Sequence, residues 1–411
     1  MRYVIANNNK SVQGSINLPA SKSISNRVLI INALSYNPYP IHNLSESDDT
    51  RVLGQVLTSN ASKFDIGHAG TAMRFLTAFL AKIVGQWELT GSARMQQRPV
   101  SVLVDALKKL GARIEYINKE GFPPLRIRGT HLKGGSLELD GSTSSQFITA
   151  LLLIAPTLEG GLFLTLKNNI ISGSYIKLTL ELMAKFGIKY RWIKNTIEVP
   201  EQPYLPIEFT VEPDWSAASY WYEVAAFAES AEIELKNLRL PSPQGDSRIA
   251  EWFKYFGIAT EASPEGLKLT KKDSAQPEKL TLDFTDNPDM AQTMVVLCVG
   301  KGVPFHFTGL ETLKVKETNR IAALQIELAK SGTILTESKH GELRWDGYIN
   351  SEKIQESPVI NTYNDHRMAL AFAPLSLTGR PLQIENPTVV TKSYPGFWDD
   401  LKVAGFQVKN I

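Results

Sequence analysis

Eight cations stand at or near the starts of apolar runs: Lys22, Arg27, Arg74, Arg98, Lys316, Arg320, Arg367 and Lys392. Small hydrogen-bonding residues lie among them, Ser23, Thr71, Ser144, Ser145, Gln146 and Ser172, with the carboxylates Asp49, Asp214, Asp289, Glu317 and Asp365. Ammonium, guanidinium and hydroxyl groups at helix starts suit phosphates and carboxylates, because the free backbone N–H groups there already attract anions. A set this large calls for one or two substrates carrying several negative charges. Each piece alone has a plainer reading. KETNR (316–320) reads as an ion-paired helix start, NDHR (364–367) as a cap, SSQF (144–147) as a serine cap and GTAMR (70–74) as a glycine turn. Fold alone does not explain why they occur together.

One repeated element must position these groups. A short Ser-, Thr-, Asn-, Asp- or Gly-rich segment runs into an apolar helix at 21–34, 68–81, 142–155, 214–228, 286–299, 316–329 and 364–377. In the first copy Pro19 ends a strand, Ser21, Ser23 and Ser25 are good caps, and VLIINAL (28–34) has the composition of a buried helix. Helices apolar around most of their circumference belong inside a core, so their polar first turns must emerge at a common place. Strand-like runs lie between them, including 14–18, 87–91, 125–129, 135–141, 162–168, 189–193, 196–200, 231–238, 279–284 and 305–310. Several of these alternate apolar and polar residues, as half-buried strands do. The segments 101–111 and 247–257 read as amphipathic outer helices stopped by glycine. The fold class is α/β, with mixed sheets around buried helices and a boundary near Pro206–Pro213.

Composition excludes several functions. At 411 residues the chain should hold two or more domains, and its net charge of +2 gives no global field for nucleic acid or an acidic membrane. Cys298, the single cysteine, sits in the apolar run MVVLCVG, which suits core packing in a reducing compartment. No apolar h-region or membrane-length run occurs, so the expected location is the cytoplasm. The six histidines show no ligand-like spacing and Asp48–Asp49 reads as a turn or helix cap, so no metal is expected.

Nine motifs occur in order: LPASKSISNR, AGTAMR, QQRPV (96–100), STSSQF, ISGSY (171–175), NPDMAQT (287–293), VKETNR, NDHRMA and TKSYPGF (391–397). Together they resemble the 5-enolpyruvylshikimate-3-phosphate synthase family from residue 18 to about 400. The resemblance implies two similar domains joined by a two-strand hinge, each of three βαβαββ-like units, with the active site in the interdomain cleft. The domains would be 1–19 plus 213–411, and 20–212. The implied reaction moves the enolpyruvyl group of phosphoenolpyruvate to the 5-hydroxyl of shikimate 3-phosphate and releases phosphate. Those two small molecules are the expected partners of a monomeric enzyme that uses no cofactor.

Carried over position by position, Lys22, Ser23, Arg27, Ser144, Ser145, Ser172, Tyr175, Asp289, Thr312 and Lys316 would hold shikimate 3-phosphate. Lys22, Gly70, Arg98, Gln146, Arg320, Arg367 and Lys392 would hold phosphoenolpyruvate. Asp289 would be the base toward the 5-hydroxyl, and Lys22 with Glu317 would shuttle the proton at the methylene carbon. Four positions depart from the family pattern: His68 for Asn, Phe75 for Pro, Thr312 for Asn and Asn319 for an acidic residue. His68 and Phe75 border the implied phosphoenolpyruvate pocket and are expected to alter the response to glyphosate, which occupies that pocket in the family. Two alternatives stand beside this reading. One is the sister transferase that uses UDP-N-acetylglucosamine, which has Lys-Asn where this chain has Lys22-Ser23. The other is a non-catalytic anion-binding protein on the same scaffold.

Overall fold

The computed structural model describes residues 1–7 and 9–411. The chain divides into two compact units, Met1–Pro19 with Glu212–Ile411, and Ala20–Val211.

Within Ala20–Val211 one plan is used twice in full. Strand Lys63–Asp65, helix Gly70–Lys82 and strand Gly85–Thr90 form a parallel crossover, and helix Ser101–Lys109 then leads to the antiparallel strands Arg113–Tyr116 and Leu125–Gly129. The succession recurs as Lys133–Asp140, Ser145–Ile154, Glu159–Lys167, Gly173–Lys185, Arg191–Ile193 and Thr196–Val199. A shortened version has helices Lys22–Ser35 and Asp48–Leu57, with Ile41–His42 parallel to Phe209–Thr210.

The other unit repeats the parallel pair three times: Ser11–Ile16 with Ser230–Lys236, Leu280–Asp283 with Phe305–Thr308, and Val359–Ile360 with Leu382–Glu385. Parallel neighbours need a crossover, and in the last two pairs the helices Ala291–Lys301 and His366–Phe372 supply it. Every residue of helix Trp215–Phe227 except Ser216 is buried, so that helix can sit only in a core. A crossover helix starts where its strand ends. Its polar first turn is therefore held beyond the carboxyl end of a sheet, where open α/β sheets bind ligands.

The caps follow from sequence. Ser21 accepts from the N–H of Ile24, Asp214 from Ala217, Ser144 from Gln146, Asn319 from Ala322 and Asp365 from Arg367. Asn319 thus does the capping work of an Asx side chain at the place where an acidic residue was expected. Asp48 and Asp49, expected as a turn or helix cap, form the first turn of Asp48–Leu57, where carboxylates complement the helix dipole. One expectation is corrected. The segment 247–257 is not one helix but 3₁₀ Gly245–Arg248, α-helical Ile249–Trp252 and 3₁₀ Phe253–Phe256. Trp252, Phe253 and Phe256 are all buried there, and aromatic side chains weaken an α-helical run by losing χ1 freedom. Helix Gly173–Lys185 was not foreseen, because the left-handed Ser172 (φ 59°) that opens it looks like a loop residue.

Glu223 has no solvent exposure, and among the described residues neither carboxyl oxygen has a hydrogen-bond partner. Burial raises its pKa well above the ordinary carboxylate value. The folded chain then holds a proton that the unfolded chain releases above the ordinary glutamate value of about 4.3, so this group destabilises the fold as pH rises. Glu223→Gln is expected to remove that loss. Melting curves at pH 5 and pH 8 should show wild type falling relative to the variant, by no more than about 1.4 kcal/mol per pH unit for the single proton.

Candidate active site

In the unit that holds Glu212–Ile411, the expected site residues converge on two carboxylates. Asp289 lies on the 3₁₀ turn Pro288–Met290 just before helix Ala291–Lys301. It accepts from Arg320 Nη1 at 3.1 Å and Arg367 Nη2 at 2.9 Å, with Lys316 Nζ at 3.7 Å. Glu317 accepts from Arg320 Nη2 at 3.1 Å and Lys392 Nζ at 2.5 Å. Arg320, 2% exposed, also holds Asp365 through Nε at 2.7 Å. Burial alone would raise the Asp289 pKa, but Arg367, Lys316 and Arg320 outweigh it and hold the carboxyl well below its usual range. Burial lowers the pKa of Arg320, yet Asp365, Glu317 and Asp289 more than reverse this. Carboxylates placed between the cations let them lie close together.

Thr312 is not drawn into this network. Its hydroxyl is out of solvent and has no hydrogen-bond partner among the described residues. Asp214 caps helix Trp215–Phe227, accepting from the Ala217 N–H at 2.9 Å. Cys298 is fully buried, and burial pushes its thiol up, so it is a core residue.

In the Ala20–Val211 unit the cations differ in how they are held. Arg27 is committed to its own unit: Nε donates to Thr179 at 2.8 Å, Nη1 to the Ser23 carbonyl at 2.7 Å, and Nη2 to Thr149 at 3.4 Å and the Tyr175 carbonyl at 3.3 Å. Its guanidinium also lies 5.8 Å from the centre of the Phe75 ring. Burial lowers the Arg27 pKa to about 10, so it remains charged near neutrality. These bonds tie the starts of helices Lys22–Ser35, Ser145–Ile154 and Gly173–Lys185 together, which sets Ser23, Ser144, Ser145, Ser172 and Tyr175 relative to one another. Arg74, counted among the cations at the helix starts, is likewise turned inward. It is buried and donates to the carbonyls of Gly70 and Pro99 and to Met95 Sδ.

Lys22 is partly exposed, with Asp49 Oδ2 at 3.5 Å from its Nζ. Gln146 donates to Thr71 at 3.1 Å. Arg98 crosses the face of Gly70 so closely that a Cβ there would lie 2.6 Å from Nη1. His68 is exposed and 3.8 Å from Asp48, whereas Phe75 is buried under Arg27.

A sequence model of the family described as EPSP synthase (3-phosphoshikimate 1-carboxyvinyltransferase) matches residues 6–59 and 52–401. The chain belongs to the EPSP synthase family. The 3-phosphoshikimate 1-carboxyvinyltransferase of Bacteroides fragilis is 52% identical over 412 residues, covering 100% of this chain and 99% of that protein. The enzyme of the same name from Pseudoalteromonas translucida is 36% identical and covers 95% and 96%. The EPSP synthase structure from Acinetobacter baumannii superposes with a TM-score of 0.79 at 21% identity, over the whole of both chains, and shares the fold.

For an EPSP synthase family member, the sequence reading overlooked three residues beside the Asp289 network. Asp246 accepts from Ser216 Oγ at 2.5 Å, and Tyr220 and Ser216 each receive a guanidinium N–H from Arg367. Burial, then the charge of Asp289, raises the Asp246 pKa to about 6. Ser216 is the one residue of helix Trp215–Phe227 that is not buried, but Ser219 and Glu223 are polar positions of the same helix, so residue type alone did not single it out. A lone aspartate in a turn-rich segment such as 241–248 carried no signal. No helix among the described residues is long and apolar enough to cross a membrane.

Proposed function

We infer that the chain transfers the enolpyruvyl group of phosphoenolpyruvate to the 5-hydroxyl of shikimate 3-phosphate. A proton adds to the methylene carbon while the hydroxyl oxygen attacks the adjacent carbon. The C–O bond to phosphate then breaks, and loss of a proton from the new methyl group restores the double bond. The observation that carries this reading is the Asp289 carboxylate gripped by Arg320, Arg367 and Lys316, in a chain 52% identical along its full length to a carboxyvinyltransferase. Two polyanions can replace the carboxylates as partners of those cations, which frees Asp289 to take the hydroxyl proton. Lys22 and Glu317 handle the proton at the methylene carbon. Arg98, Gln146, Arg320, Arg367 and Lys392 grip phosphoenolpyruvate, where guanidinium forks suit its carboxylate and phosphate. Ser23, Ser144, Ser145, Ser172, Tyr175, Thr312 and Lys316 hold shikimate 3-phosphate, with Arg27 setting their positions. The enzyme works as a monomer in the cytoplasm.

Phosphate release by purified protein tests this. Release is expected with phosphoenolpyruvate plus shikimate 3-phosphate, and not when UDP-N-acetylglucosamine or unphosphorylated shikimate replaces the second substrate. Release with the nucleotide sugar alone would overturn the choice of acceptor, and binding of both ligands without release would leave an anion-binding protein.

Gly70 gives a sharper test of the phosphoenolpyruvate grip. A methyl group there must displace the Arg98 guanidinium, which lies at the far end of a flexible side chain. Gly70→Ala is expected to raise KM for phosphoenolpyruvate about tenfold, roughly 1.4 kcal/mol. The KM for shikimate 3-phosphate and the melting temperature should stay close to wild type.

A further inference from the structure

A pocket of about 220 Å³ lies in the unit that contains the Asp289 network, at the opposite end of the helix that follows Asp289. That helix, Ala291–Lys301, spans about 16 Å at 1.5 Å per residue, and the pocket is lined by its last turn at Val299 and Gly300. Leu375, Ile354, Pro358 and Leu382 supply apolar walls. Arg380 and Gln355 also line it, and among the described residues neither side chain has a hydrogen-bond or ion-pair partner. Arg380 is exposed, so its guanidinium meets solvent at the mouth.

Size and chemistry narrow the occupant. A dry cavity of about 150 Å³ takes benzene, so this one has room for one aromatic ring and a short arm. An apolar floor with few polar groups at the rim is the usual build of a small-molecule site. An unpaired guanidinium and a carboxamide in the same lining offer N–H donors that a carboxylate accepts. We propose that this pocket is a second small-molecule site, taking a monoanionic carboxylate that carries a single apolar ring. The ring lies against Leu375, Ile354 and Leu382, and the carboxylate meets Arg380 and Gln355. The site is separate from the charged network, and no step of the transfer reaction uses it.

Phenylacetate is the probe, titrated calorimetrically into the full chain. Saturable binding is expected. Acetate and benzyl alcohol, each lacking one half of the probe, should bind at least tenfold more weakly. Arg380→Gln should weaken phenylacetate at least tenfold. Thr378→Trp, which places a ring over the mouth, should abolish binding. Both substitutions lie outside the transfer machinery, so unchanged kcat/KM for enolpyruvyl transfer reports that each variant is folded. Phenylacetate that fails to saturate, or that binds both folded variants as tightly as wild type, overturns the proposal.

Discussion

Replacing Asp289 with alanine is expected to lower kcat by about 10² to 10⁴-fold, the usual contribution of a positioned general base. The same change should leave KM for phosphoenolpyruvate unaltered or lower it. Both halves of this expectation come from one geometry. Asp289 receives N–H donors from Arg320 at 3.1 Å and Arg367 at 2.9 Å, with Lys316 at 3.7 Å. These charges overcome the effect of burial and keep the carboxyl well below its usual pKa, which makes it a poor proton acceptor before substrate arrives. Anionic substrate groups that engage the same cations relax that hold, and the proton affinity of Asp289 rises where it is needed. Without the carboxylate the cations have one competitor fewer, so ground-state binding does not suffer while turnover does. Steady-state kinetics of Asp289→Ala and Asp289→Asn check this. Loss of kcat in both marks removal of an interaction made in the transition state. Near-wild-type turnover in either would exclude Asp289 as the base.

The sequence showed the buried helices because their composition leaves no other place for them. Ser145–Ile154, with eight consecutive buried residues from Phe147 onward, is the plainest case. The polar starts were legible for the same reason, since capping residues must precede such runs. Partnerships were not legible. Arg27, Arg74 and Arg320 are all buried at helix starts, yet Arg320 meets three carboxylates while Arg27 and Arg74 meet hydroxyls, carbonyls and a thioether. Only long-range packing decides this, because Thr149 and Thr179 lie more than a hundred residues from Arg27. Asp48–Leu57 was missed because its strongest sequence feature, two adjacent aspartates, serves equally well in a turn.

Replacing Arg320 with methionine should be the most destabilising single change in the network, costing about 3–5 kcal/mol, as loss of one member of a buried ion pair does. That is a large share of the roughly 5–15 kcal/mol that holds a typical domain together. Arg320 binds Asp365 through two nitrogens, at 2.7 Å and 3.3 Å, and Asp365 is fully buried. The same carboxylate caps helix His366–Phe372 by accepting from the Arg367 N–H at 3.0 Å. Removing the guanidinium leaves a buried charge without its main counter-ion, in contact with the helix start that presents Arg367. Adding Asp365→Asn should recover about 1–3 kcal/mol, because asparagine keeps the cap and removes the charge. The pH dependence distinguishes charge from packing. In wild type the lowered pKa of Asp289 contributes stability above the unfolded aspartate value of about 3.9, and that stability fades as pH falls toward the folded value. In Arg320→Met the uncompensated Asp365 gains from taking up a proton, so the variant should recover stability as pH drops from 8 to 5. The double variant should lose that recovery. Urea melts of the three proteins at both pH values measure it, and a pH-independent deficit in Arg320→Met would assign the loss to packing.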